Sequence, residues 1–187
     1  GVPYGPPVVT TTFQRVVAPL WDSSDGVWLV VTPDALRTDP DATYGDMIRV
    51  FDALLKQIHA MTIPTIAAVH GACLGGGMEV AIACDVIVAA KSASFGQPEI
   101  KLGFFPPYAA MRLPQIVGVS KAIEICCTGM TYTAAEAHAM GLVSRLVDDN
   151  DFKEEVDRIV SEQADASEYE HRLIAERRQT ARDLYDD

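Results

Sequence analysis

Three short apolar runs set the frame of this chain: Val27–Val31 (VWLVV), Thr65–Val69 (TIAAV) and the DVIVAA run that starts at Asp85. Each is too short for a self-standing helix, and each carries β-branched side chains. A strand that is apolar at every position is covered on both faces, as in a parallel sheet flanked by helices. Between the first two runs, Asp46–Met61 places Ile48, Val50, Phe51, Leu54, Leu55 and Ile58 on one helical stripe. Between the second and third, Gly71–Gly77 reads as a turn that leads into a helix at Met78–Ala83. Strand, helix and strand in alternation is the α/β pattern with crossover helices.

The flanking segments are less constrained. Gly1–Pro7 reads as irregular, Thr10–Leu20 as a helix and Pro33–Thr43 as a polar loop. Beyond Pro114 helices are expected at Lys121–Thr128, Thr133–Met140, Phe152–Gln163 and Tyr169–Leu184, with a short strand near Val143–Val147. The last two helices are strongly charged and are expected to face solvent or a partner. With 187 residues the chain can bury one substantial core.

A formal net charge of −11 argues against nucleic acid as the main partner, because binding phosphates needs a basic surface. His70, Glu79 and Asp85 interrupt the longest apolar stretch, so no segment is expected to span or anchor in a membrane. No basic and apolar leader is visible at the first residues. Cys73, Cys84, Cys126 and Cys127 form no C-x-x-C pair and sit among apolar neighbours. They are expected to be reduced, buried thiols of a cytoplasmic protein, with no metal or redox role.

The chemistry-bearing segment runs from Ile63 to Pro114. Gly75, Gly76 and Gly77 stand at the head of an apolar helix, where free N–H groups and the helix dipole favour negative charge. Neither phosphate-loop nor dinucleotide spacing is present. The run is therefore either an oxyanion-binding turn or a tight turn packed under a neighbouring strand. Glu79 lies in the first turn of that helix among apolar residues, as a functional carboxylate or as a simple electrostatic partner of the helix end. Glu99 follows Pro98 among Phe95, Phe104, Phe105 and Tyr108, as a desolvated acid or an ordinary loop carboxylate. Two carboxylates beside an anion-binding turn would suit moving a proton α to a carbonyl.

The string from Gly71 to Gly118, GACLGGGMEVAIACDVIVAAKSASFGQPEIKLGFFPPYAAMRLPQIVG, resembles the enoyl-CoA hydratase/isomerase (crotonase) superfamily. AIEICCTGMTYTAAEAHAMGLVSRLV, Ala122–Val147, is similar to the segment that follows it in that family. The resemblance spans roughly Trp28 to Val147. It implies the layered ββα superhelix of the ClpP/crotonase fold with C-terminal helices. Residues 1–147 would form the α/β core and 148–187 a helical trimerisation region, giving a homotrimer or hexamer. It further implies an acyl-CoA thioester substrate, with no cofactor beyond the coenzyme A that the substrate carries. Gly76 would supply an oxyanion-hole N–H, with Ala72 and Gly75 beside it. Glu79 and Glu99 match the hydratases' acid/base pair, Glu79 handling water and Glu99 delivering the Cα proton.

Two departures accompany the match. The GQPEIKLGFFPPYAA version resembles the cyclic dienoyl-CoA hydratases of anaerobic aromatic degradation, which implies a flat ring stacked on Phe104, Phe105 or Tyr108. The family also follows the strand equivalent to VWLVVT with G-x-x-F-s-A-G-x-D, the source of a second oxyanion donor, whereas Val31-Thr32 runs into PDALRTDPDATYGDM. Another reaction of the same family (isomerisation, decarboxylation or ring hydrolysis) and a non-catalytic scaffold therefore stand as the alternatives.

Overall fold

The computed structural model describes residues 27–31, 44–61, 64–164 and 176. Four parallel strands, β1 (Val27–Val31), β2 (Thr65–Val69), β4 (Val86–Ala90) and β7 (Arg145–Val147), form one sheet in the order β1-β2-β4-β7. The three apolar runs are thus neighbours, joined by α1 (Tyr44–Ala60) and α2 (Gly76–Ala83). A second sheet holds β3 (Ala72–Leu74), β5 (Ser94–Gly96) and β6 (Thr131–Thr133), with β3 parallel to β5 and β5 antiparallel to β6.

Period-two alternation explains why β2 and β4 are apolar throughout. Ala67, Val69, Ile87 and Ala89 point into the main core with α2, whereas Ile66, Ala68 and Val88 point to the other face. On that face α6 (Phe152–Ala164) lays down Val156 and Ile159. The charged helix near the end of the described chain therefore packs its apolar stripe on this chain's own sheet. Its outer face carries exposed pairs such as Lys153–Asp157, worth a few tenths of a kcal/mol each.

The remaining helices are α3 (Pro107–Val117), α4 (Val119–Thr128) and α5 (Ala134–Ala139), preceded by a 3₁₀ helix at Pro98–Leu102. α5 starts with a capping box: Thr133 accepts from the Glu136 amide while Glu136 accepts from the Thr133 amide. Asp85 closes the α2–β4 turn, accepting from Thr65 N and Thr65 Oγ1, each at 2.7 Å.

Several expectations are corrected. Gly71–Gly77 is not all turn: Ala72–Leu74 is a strand, and α2 begins two residues early, at Gly76. Glu99, for which an ordinary loop carboxylate is one of the two readings, stands in the 3₁₀ helix between β5 and α3. Pro107 sits at the first position of α3, where its missing N–H costs nothing. Of the four cysteines, all free, Cys73, Cys84 and Cys126 are buried, while Cys127 on the outer face of α4 is exposed. The expected helix at Thr10–Leu20, the Gly1–Pro7 lead-in, the Pro33–Thr43 loop and, apart from Glu176, the expected helix at Tyr169–Leu184 lie outside the described residues. No helix among the described residues is long and apolar enough to cross a membrane.

Candidate functional site

Parallel pairing of β3 with β5 assembles the site. Leu74 is in register with Gly96, so the residues that follow the two strands emerge side by side. Gly75 follows one strand and Gln97-Pro98-Glu99 follows the other. Gly75 N donates to Gly96 O at 2.9 Å, which locks the two exits together.

Gly75 then turns at φ 57° and ψ −130° into α2, a backbone state that side-chain-bearing residues avoid. The first bond within the helix is from Glu79 N to Gly75 O at 3.0 Å. The amides of Gly76, Gly77 and Met78 precede it and so have no i−4 carbonyl inside the helix. Every residue of α2 is buried, so these donors meet in a low-dielectric setting. Gly76 N is thus placed at the positive end of the helix. The Gly75 amide is spoken for by Gly96, and Ala72 is exposed on β3.

Glu79 is 5 % exposed, one turn into α2. Burial pushes its pKa up to about 7; the Ala109 amide opposes that rise, the Glu99 charge adds to it, and the Tyr108 amide opposes it again. Ala109 N donates to Glu79 Oε1 at 2.9 Å. These amides belong to the first turn of α3, which has Pro106 at its N-cap and no capping side chain of its own. The Glu79 carboxylate fills that role from a different helix.

Glu99 lies in the first turn of the 3₁₀ helix, half-buried, and burial raises its pKa as well. Its carboxylate lies against the Gly75 α-carbon. Gln97, fully buried, turns its amide nitrogen to Glu99 and donates to Oε1 at 3.1 Å and Oε2 at 2.9 Å. The reverse orientation would set a carbonyl oxygen against a carboxylate. Each glutamate is thus held by donors from its own side, and the charge on Glu99 is felt at Glu79. The Cys126 thiol on α4 feels both charges and is held neutral, pushed up to about 11 chiefly by burial.

The three aromatic residues expected at the site divide. Phe104 and Phe105, between the 3₁₀ helix and α3, are 47 % and 63 % exposed. Tyr108 is buried, with its hydroxyl 2.7 Å from His59 Nε2 on α1. Gln97 was not singled out by the sequence reading; an amide in the otherwise apolar SFGQP stretch was the available signal. Ala109 acts through its backbone and left no side-chain signal. Among the described residues no group of three or more His, Cys, Asp or Glu could hold a metal ion.

A family model described as enoyl-CoA hydratase/isomerase matches residues 34–183. A protein described as a probable enoyl-CoA hydratase of Mycobacterium tuberculosis is 48% identical over 113 residues, covering 59% of this chain and 44% of that protein. Among solved structures, one described as an enoyl-CoA hydratase subunit from Geobacillus kaustophilus has a TM-score of 0.72 at 32% identity. It covers 88% of this chain and 68% of that one. One described as a probable enoyl-CoA hydratase/isomerase from Mycobacterium abscessus has a TM-score of 0.67 at 30% identity, covering 87% and 65%. The chain spans less than half the length of the curated relatives it matches.

Proposed function

Because the chain belongs to the enoyl-CoA hydratase/isomerase family and has its crotonase-like α/β fold, we propose that it adds water across the α,β-double bond of an acyl-CoA thioester. The observation that carries this reading is the meeting of two separately held, electrostatically coupled carboxylates at the amino end of α2.

In this reading the thioester oxygen accepts from Gly76 N, where the helix end stabilises the enolate that develops. Glu79 is the base: a water oxygen bonds to Cβ and its proton passes to the Glu79 carboxylate. Glu99 is the acid and gives its proton to Cα as the enolate collapses. One proton is then carried from Glu79 back to Glu99, which restores the starting state. Burial raises both carboxyl pKa values, and the Glu99 charge adds to the rise at Glu79. The pair therefore holds one proton more readily than two isolated carboxylates would, which supports such a cycle.

The finer reading is a cyclic dienoyl substrate. It is supported by the likeness of GQPEIKLGFFPPYAA and by the exposure of Phe104 and Phe105, which leaves two ring faces for a flat acyl group. Assembly as a homotrimer or hexamer through residues 148–187 belongs to the same reading. Exposed Leu102, Val119 and Ile123 are apolar surface that an assembly would cover.

The test follows the enone absorbance of crotonyl-CoA and of a cyclic dienoyl-CoA with wild type, Glu79→Gln and Glu99→Gln. Hydration by the wild type, reduced about 10²–10⁴-fold by each change, is the expected result. Loss with only one change would point to an isomerase or decarboxylase. A chain that binds no acyl-CoA would be a scaffold.

A further inference from the structure

We propose that Tyr108 is a positioning residue: its hydroxyl, bonded to His59, pins the first turn of α3 so that the amides of that turn stay aimed at the Glu79 carboxylate. Tyr108 here stands outside the acid/base pair and acts through the backbone. The inference rests on the hydratase reading of Glu79.

The first turn of a helix is its least secure part, with unpartnered amides and a tendency to fray. A side chain at the N-cap normally restrains it, but Pro106 cannot do so and α3 has no side-chain cap of its own. The turn that serves Glu79 therefore needs another anchor. Tyr108 is the second residue of α3, and its amide is one of the two that act on Glu79. The residue is 4 % exposed, its ring packs 5.7 Å from the His59 ring at 47°, and its hydroxyl lies 2.7 Å from His59 Nε2. His59 stands in the last turn of α1. Both α1 and α3 pack on α2, which carries Glu79. The Tyr108–His59 bond thus straps the two helices that flank the carboxylate.

Among the described residues, the other titratable groups that face Glu79 are Glu99 from the 3₁₀ helix and the Cys126 thiol from α4. Tyr108→Phe leaves both in place. What it removes is the strap, and a loosened turn weakens the two amide contacts that favour the ionised form of Glu79. The Glu79 pKa then moves up. A base that must be ionised to accept a proton would work only at correspondingly higher pH.

The test is a pH titration of the Ala109 backbone amide by ¹H–¹⁵N NMR, which reads Glu79 without any substrate. Wild type is compared with Tyr108→Phe, His59→Leu and His59→Gln. The expected result is an inflection raised by about one pH unit in Tyr108→Phe and in His59→Leu. His59→Gln, which keeps an acceptor for the hydroxyl, returns it toward wild type. In turnover, kcat below the inflection falls about tenfold with KM unchanged. Inflections in Tyr108→Phe and His59→Leu within a few tenths of wild type would overturn the proposal, whatever their melting temperatures. A wild-type chain that hydrates no thioester sinks the hydratase reading instead.

Discussion

The Glu99 carboxylate rests on the α-carbon of Gly75: a Cβ built there would overlap Glu99 Oε1 and stand 3.1 Å from Glu99 Cδ. The first glycine of the run therefore makes room as well as a turn. It lets an acid from the 3₁₀ helix sit beside the amino end of α2. A larger residue would have to displace the carboxylate that the site is built around.

Gly75→Ala should accordingly lower both stability and turnover. An L-residue at φ 57° and ψ −130° costs about 1–3 kcal/mol, before the overlap with Glu99 is counted. Gly77→Ala is the control, since its Cβ would meet nothing within 4 Å and alanine favours a helix. Thermal melts should show a clear fall for the first variant and none for the second. Equal melting temperatures would mean that Gly75 has no special backbone role.

Gln97→Met keeps the shape of a fully buried side chain while removing both donors to Glu99. Those donors favour the ionised carboxylate, so their loss adds to the rise that burial already causes. In the hydratase reading, where Glu99 is the proton donor, the alkaline limb of the pH–rate profile should move up by about one unit. An unchanged limb would show that Gln97 holds the fold and not the acid.

Glu79 also ties stability to pH. Its folded pKa, about 7, lies above the ordinary 4.5, so between those values the folded protein holds a proton that the unfolded chain has released. The contribution of this group is full below about pH 4.5 and is lost as pH rises through 7. The difference amounts to about 3 kcal/mol at most. Denaturant titrations should therefore show wild-type stability falling over that window relative to Glu79→Gln, which does not titrate. Parallel stability curves for the two proteins would contradict the assignment.

Much of the fold was legible from side-chain pattern. VWLVV, TIAAV and VIVAA are strands because a two-sided sheet core demands unbroken apolar runs, and α1 is a helix because its apolar residues recur on one face. Side-chain pattern assigns no element to the segment after Phe95, because its helix starts with two prolines and contains a third, Pro114. Those residues usually mark loops, and here Pro106 and Pro107 occupy positions whose amides need no helical partner. The strand at Ala72–Leu74 is three residues long, too short for a period to register.

The sequence by itself determined the α/β alternation and the family, and it marked Glu79 and Glu99 as candidates, since these reside in residue type and local spacing. Only the tertiary structure decided that Glu99 lies on Gly75, that Gln97 serves Glu99, that α3 offers its amides to Glu79, and that Tyr108 turns inward to His59. Apart from the local Gln97–Glu99 contact, each of these joins segments far apart in the chain through strand register or helix packing. Hydrogen bonds from backbone amides leave no mark on residue type, and no local pattern encodes them.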